Sequence, residues 1–282
     1  MVDLPAGSNV SATARTSTPY TPGFRTSAYT VLGALIAVGC ASSHPSGPVF
    51  GGQGAVVDPG QRAAQVEAQA PAGVCDGVPA STDAHFEDFE DGDNRLFGAF
   101  EREGYWYTAT DHTPGGSVFP PDGKFEPATL PENEATPENR LAAHFTAEGY
   151  KDWGVVWGVT LRHVGAAKCP LNAGNFAGLK FRVRGKGDVQ VRFGMPETIA
   201  TEYGGSCTEK CYDMHGTTLH LTDTWQVREV HWDRLQQGGW GKSVRFDPKR
   251  LLSLEFRAAP DKMPVEVWLD DFDWIPKEAG KG

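Results

Sequence analysis

Cys207 and Cys211 stand close together in "GGSCTEKCYDMHG" (204–216), with His215 and His220 just behind. Two thiols and two imidazoles are the donor types of a four-coordinate zinc site. The same two thiols could instead close a small disulfide loop. Redox catalysis is the poorer fit, because the usual redox pair has two residues between its cysteines and this pair has three. His220 lies in "TTLHLTDTW", which reads as a strand, and no second half-site accompanies the pair.

A second group of residues could hold a sugar. Trp106, Tyr107, Trp153, Trp157, Tyr203 and Trp240 sit in or beside glycine-rich segments. An aromatic face stacks on the C–H face of a pyranose, while polar side chains meet its hydroxyls. Arg192 projects opposite Val191 and Phe193, so it is placed to serve as such a partner. Trp225 and Trp232 flank a strand and are expected in the core.

Catalytic patterns are not found. Glycoside hydrolysis needs two carboxylates on either side of one bond. Glu87 with Asp88, and Asp270 with Asp271, are adjacent in sequence, so on a strand they point to opposite faces. No Gly-x-Ser-x-Gly elbow, phosphate loop or His-Glu-x-x-His helix is found. A hydrolase is therefore the weakest of three readings, behind a binding protein and a structural protein of the cell envelope.

The compartment bears on the cysteines. "YTVLGALIAVG" (29–39) is apolar, uncharged and too short to span a bilayer, which takes about 20 residues. It fits the core of a secretory signal. It runs into Cys40 as "AVGC", which resembles a bacterial lipobox; that resemblance implies a signal peptide over 1–39 and lipid on Cys40. The alternative is an ordinary cleaved signal. A bacterial cell-envelope lipoprotein is expected, held by lipid on a membrane and exposed to oxidising conditions. Four cysteines then remain. Cys207 with Cys211 closes a short loop, leaving Cys75 to reach Cys169. The net charge of −10 disfavours nucleic acid as a partner.

The elements that must position these residues lie towards the C-terminal end. Residues 40–80 are rich in Ser, Pro, Gly, Ala and Gln and are expected to form a disordered tether. All eight tryptophans fall beyond it, in a stretch expected to fold as one domain over 81–276. There the apolar period is two. "GLKFRVRG" alternates Leu179, Phe181 and Val183 with charged residues, and "DVQVRFG" alternates Val189, Val191 and Phe193 with polar ones. "LLSLEF", "PVEVWL" and "NRLAAHF" behave likewise, while only "WDRLQQGG" suggests a helical turn. The expectation is an all-β, antiparallel β-sandwich of jelly-roll type.

The order of segments adds to this. "HFEDFEDGDN" (85–94) opens the domain and "VEVWLDDFDWI" (265–275) closes it. Between them come "DWGVVWGVTL" (152–161), "LTDTWQVREVHWDRLQQGGWG" (221–241) and "DPKRLLSLEF" (247–256). This resembles the jelly-roll carbohydrate-binding modules of the galactose-binding-like superfold, most of all family eleven. The resemblance implies non-catalytic carbohydrate binding. It places Trp157 on a cleft aromatic, Asp213 on a cleft aspartate, and Gln236 with Gln237 in a loop of polar contacts. Trp106 and Trp240 complete the expected site. It also implies a structural calcium where the first and last strands meet, and Asp88, Glu90 and Asp270 match best by position. Arg257 and Ala258 stand where the family carries an aromatic, a departure that bears on which glycan is bound.

Overall fold

The structure is a computed structural model that describes residues 73–76, 80–96 and 103–277. The signal segment, Cys40 and nearly all of the expected tether lie outside the described residues.

Fourteen strands follow one another along the described chain: β1 (His85–Glu87), β2 (Trp106–Thr110), β3 (Ser117–Phe119), β4 (Ala128–Thr129), β5 (Leu141–Glu148), β6 (Val155–Thr160), β7 (His163–Val164), β8 (Ala167–Lys168), β9 (Phe176–Lys186), β10 (Asp188–Gly194), β11 (His215–His220), β12 (Gln226–His231), β13 (Ser253–Ala258) and β14 (Val265–Pro276). Among the described residues helix is confined to three single turns, one of them at Trp232–Arg234. One sheet runs β12-β9-β14-β5-β3, with β1 added on β14 and β4 on β5. A second sheet of five strands runs β11-β10-β13-β6-β2. Strands β7 and β8 form a small ribbon. Every strand pair is antiparallel. The expected all-β antiparallel sandwich is the observed fold.

The alternation builds the core. Leu179, Phe181 and Val183 point inward from β9, and Val189, Val191 and Phe193 point inward from β10. The two sheets meet through rings: Phe145 of β5 stacks on Trp157 of β6 with centroids 5.2 Å apart, and Phe181 of β9 meets Phe256 of β13 edge-on at 5.6 Å. Each such fully buried side chain contributes about 1.5–3 kcal/mol relative to exposure, and edge-on or offset ring pairs add to this. Strand β6 is buried along its whole length, since its inward face meets this core and its outward face underlies other side chains.

Both expected disulfides are present, Cys75–Cys169 and Cys207–Cys211. The first ties the turn at Gly73–Asp76 to the residue after β8 across 94 positions of sequence. The second removes Cys207 and Cys211 as zinc ligands. His215 is instead buried against Phe246, and His220 pairs with Asp188 at 2.7 Å.

Candidate functional site

Register alone assembles the outward face of the five-stranded sheet. Antiparallel pairing sets residues side by side in transverse rows, two residues apart along each strand. One row reads Gly216, Arg192, Glu255, Gly158, Tyr107. The next reads Thr218, Gln190, Arg257, Val156, Ala109. Ser253 and Thr160 begin the row on the other side.

The central row is one bonded unit. Arg192 and Glu255 form an ion pair through Nη2 and Oε2. Tyr107 Oη donates to Glu255 Oε1 at 3.0 Å, and Ser253 Oγ donates to the same oxygen at 3.3 Å. Tyr107 reaches across because Gly158 lies beneath it; a Cβ at Gly158 would come within 2.4 Å of the Tyr107 ring. Burial, then the Glu255 carboxylate, holds the Tyr107 hydroxyl well above its ordinary pKa, so it remains a donor.

Above this floor opens a cleft of about 1380 Å³. That exceeds the roughly 300–1,000 Å³ of a drug-sized pocket and suits an extended ligand. Its rim is aromatic. Among the described residues seven large hydrophobic side chains are exposed, and five of them line this one cleft: Tyr105, Trp153, Tyr203, Tyr212 and Trp240. Exposed aromatics gathered around a polar floor mark a binding surface rather than scattered surface residues.

Two buried or semi-buried carboxylates hold up the rim tryptophans. Asp213 accepts the backbone N–H groups of Gly238, Gly239 and Gly241 at 2.7, 2.9 and 2.9 Å, and so fixes the loop carrying Trp240. Asp111 accepts those of Asp152 and Gly154, both at 2.9 Å, on either side of Trp153. Burial works to raise the Asp111 pKa, but Thr113 and these backbone donors outweigh it and lower it to about 2. The Cys207–Cys211 bridge shapes the adjacent wall. Lys210 and Tyr212 take left-handed backbone there, with φ of 48° and 72°, a conformation uncommon outside glycine. Tyr212 N–H donates to the Thr198 carbonyl at 2.7 Å and holds it.

The expected site is therefore partly relocated. Trp240 and Gln236 are exposed on the cleft, and Arg192 lies in its floor. Trp157 is 0% exposed and Trp106 is 2% exposed, both within the core between the sheets. Neither can stack on a ligand. The reason is strand parity: Val155, Trp157 and Val159 share the inward face of β6, leaving Val156, Gly158 and Thr160 outward. On β2 the outward residue is Tyr107, one position from Trp106. Asp213 is buried, and its carboxylate serves the Trp240 loop instead of a hydroxyl. Gln237 is likewise occupied, its amide donating to the carbonyls of Asp213 and Lys242. Trp225, expected in the core, lies half-buried on the outer face of the larger sheet, where Arg182 and Arg184 stack on it at 4.8 and 5.2 Å. Trp232 is in the core as expected.

The carboxylates expected to hold calcium each have partners within the protein. Asp88 contacts His85 at the surface, at 3.4 Å. Glu90 accepts the N–H groups of Arg140 and Leu141. Asp270 is fully buried and accepts from Asn139 Nδ2 and Asp271 N–H. Among the described residues no group of three or more His, Cys, Asp or Glu could hold a metal ion. A buried acid outside the expected calcium set is Glu87, 1% exposed, beside Asp88 at the end of β1.

No family model matches the chain. Endoglucanase 3 of Fibrobacter succinogenes is 29% identical over 239 residues, which cover 79% of this chain and 32% of that protein. The chain thus spans about a third of the length of that curated relative. Among solved structures, the family 11 carbohydrate-binding module of a cellulosomal cellulase of Clostridium thermocellum is similar over 72% of this chain and 100% of its own, at 11% identity and a TM-score of 0.43. A family 30 carbohydrate-binding module is similar over 67% of this chain and 90% of its own, at 17% identity and a TM-score of 0.39.

Proposed function

We propose that this protein binds poly- or oligosaccharide without catalysis, in the cleft on the outward face of the five-stranded sheet. The observation that carries the proposal is the gathering of five exposed aromatic side chains around a hydrogen-bonding floor of Arg192, Glu255, Tyr107 and Ser253. Rings supply stacking surfaces, and the floor supplies fixed donors and acceptors for hydroxyls. The partial match to an endoglucanase accords with attachment to glycan metabolism. Against hydrolysis by the floor, Glu255 is bound by Arg192, Tyr107 and Ser253, while Asp213 and Asp111 are bound by backbone amides. Those carboxylates are committed to structure, whereas a glycosidase needs two that face the scissile bond. A glycan array probed with the whole protein tests the reading; the absence of any glycan signal would remove it and favour a protein partner in the envelope.

The reading includes an envelope lipoprotein, with lipid on Cys40 and a tether between anchor and cleft. Its support is the short apolar segment ending in "AVGC" and the pair of disulfides, which oxidising compartments favour. Cys40→Ser is expected to abolish detergent-phase partitioning. Unchanged partitioning would contradict the anchor.

A further inference from the structure

The floor of the cleft carries a second polar bar, one row along from Arg192 and Glu255. Arg257 extends along its row in both directions. Its Nη1 donates to Gln190 Oε1 at 3.1 Å. Its Nε and Nη2 both donate to the carbonyl of Trp153, at 3.1 and 2.9 Å. Three of the five guanidinium N–H groups are thus committed, in a planar fork whose geometry is fixed by its partners. The bar runs from β10, over β13, to the segment preceding β6.

Beyond the bar lies a second depression of about 530 Å³. Gln190, Thr218 and Arg257 line both it and the large cleft, so this row is the shared wall. The chemistry changes across the wall. The large cleft is aromatic, whereas the further depression is lined by Lys151, Asp152, Asp188 and Lys262, with no aromatic side chain among its lining residues. The two depressions lie end to end along the strands, because successive rows of the same sheet face form their floors.

We propose that Arg257 is the end wall of the sugar cleft, closing it at the Gln190–Trp153 row so that a bound glycan terminates there instead of running through. This rests on the carbohydrate reading above and deepens it: the site selects the length and the end of the chain it takes. The guanidinium blocks passage by volume. The guanidinium keeps two N–H groups not used in these bonds, which would serve as donors to the hydroxyls of a terminal unit. Removing the side chain beyond Cβ joins the two depressions into one groove, with hydroxyl-bonding charged groups along its new half.

The test compares wild type, Arg257→Ala and Gln190→Ala across ladders of cello-, xylo- and manno-oligosaccharides, by calorimetric titration, with melting curves for all three proteins. In the wild type, affinity rises with chain length and then levels off at the length that fills the cleft. In Arg257→Ala the levelling-off moves to longer chains, and the longest oligosaccharides gain about tenfold over wild type, the equivalent of 1.4 kcal/mol. Gln190→Ala opens the same wall from its other side and shifts the plateau in the same direction, which keeps the test intact should Arg257→Ala fail to fold. A ladder that binds all three proteins with the same plateau overturns the end wall while leaving carbohydrate binding in place. If no ladder binds wild type or variants, the carbohydrate reading falls and the end wall with it.

Discussion

Asp213 and Trp240 are coupled through backbone: the Asp213 carboxylate accepts the N–H groups of Gly238, Gly239 and Gly241, so the indole projects from a turn clamped on both sides. Hydrogen bonds to an ionised acceptor are each worth about 1.5–3 kcal/mol. Asp213 itself is buried and Trp240 is 57% exposed. In the proposed site the aspartate therefore serves by positioning the tryptophan.

Asp213→Ala should loosen that turn without removing any ligand contact. The expected result is faster amide hydrogen exchange at Gly238, Gly239 and Gly241, together with glycan affinity lowered about tenfold. Gln236, which pairs through its backbone with Gly216 outside the clamp, should keep its protection. Unchanged exchange at the three glycines would contradict the clamp.

The fold was legible because its strands carry polar residues on one face. Lys180, Arg182 and Arg184 orient β9 unambiguously against Leu179, Phe181 and Val183. The site was less legible because β6 lacks such a marker. "VVWGVT" is apolar or small at nearly every position and buried at all of them, so its period of two leaves open which face meets the core. The resemblance implies a cleft position for Trp157, and nothing in the pattern of β6 opposes it, whereas the structure buries Trp157 and sets Tyr107, not Trp106, on the outward face. The disulfides were readable from number and spacing. The role of Asp213 was not, since an aspartate serving a ligand and one serving a Gly-Gly turn look alike in sequence; the nearby "GGWG" was the one available signal. Asp111, its counterpart beneath Trp153, carried no signal beyond the Trp-Gly at 153–154.

Stability should fall as pH rises through neutrality. Burial, offset in part by N–H groups of Phe89 and Asp88, raises the Glu87 pKa from 4.5 to about 8. Burial likewise raises that of Asp270 from 3.8 to about 7, against the Asn139 bond. Both folded-state values lie above the unfolded ones. Between about pH 4.5 and 8 the folded protein holds protons the unfolded chain has lost, so each group costs up to about 1.4 kcal/mol per pH unit across its window. The cost is absent below the unfolded pKa values. His144 and His215, lowered by burial, oppose this trend on the acid side of about pH 6.5. Glu87→Gln isolates the carboxyl share, because glutamine imitates the neutral acid. Urea unfolding from pH 5 to 8 should show the variant gaining on wild type as pH rises. Parallel profiles would contradict the buried-acid account, and a wild-type profile flattened by millimolar calcium would reinstate a cation between these strands.

The central claim is that the aromatic-rimmed face binds glycan and that the tryptophans divide between rim and core. The most direct measurement is titration of the glycans selected on the array into wild type, Trp240→Ala and Trp157→Ala, with a melting curve for each. Trp240→Ala should bind at least about tenfold more weakly while melting as wild type does, since it removes an exposed stacking surface and leaves the core untouched. Trp157→Ala should lose about 3–5 kcal/mol of stability through the cavity it leaves against Phe145. Equal affinity of Trp240→Ala and wild type, or an unaltered melting curve for Trp157→Ala together with lost binding, would contradict the account.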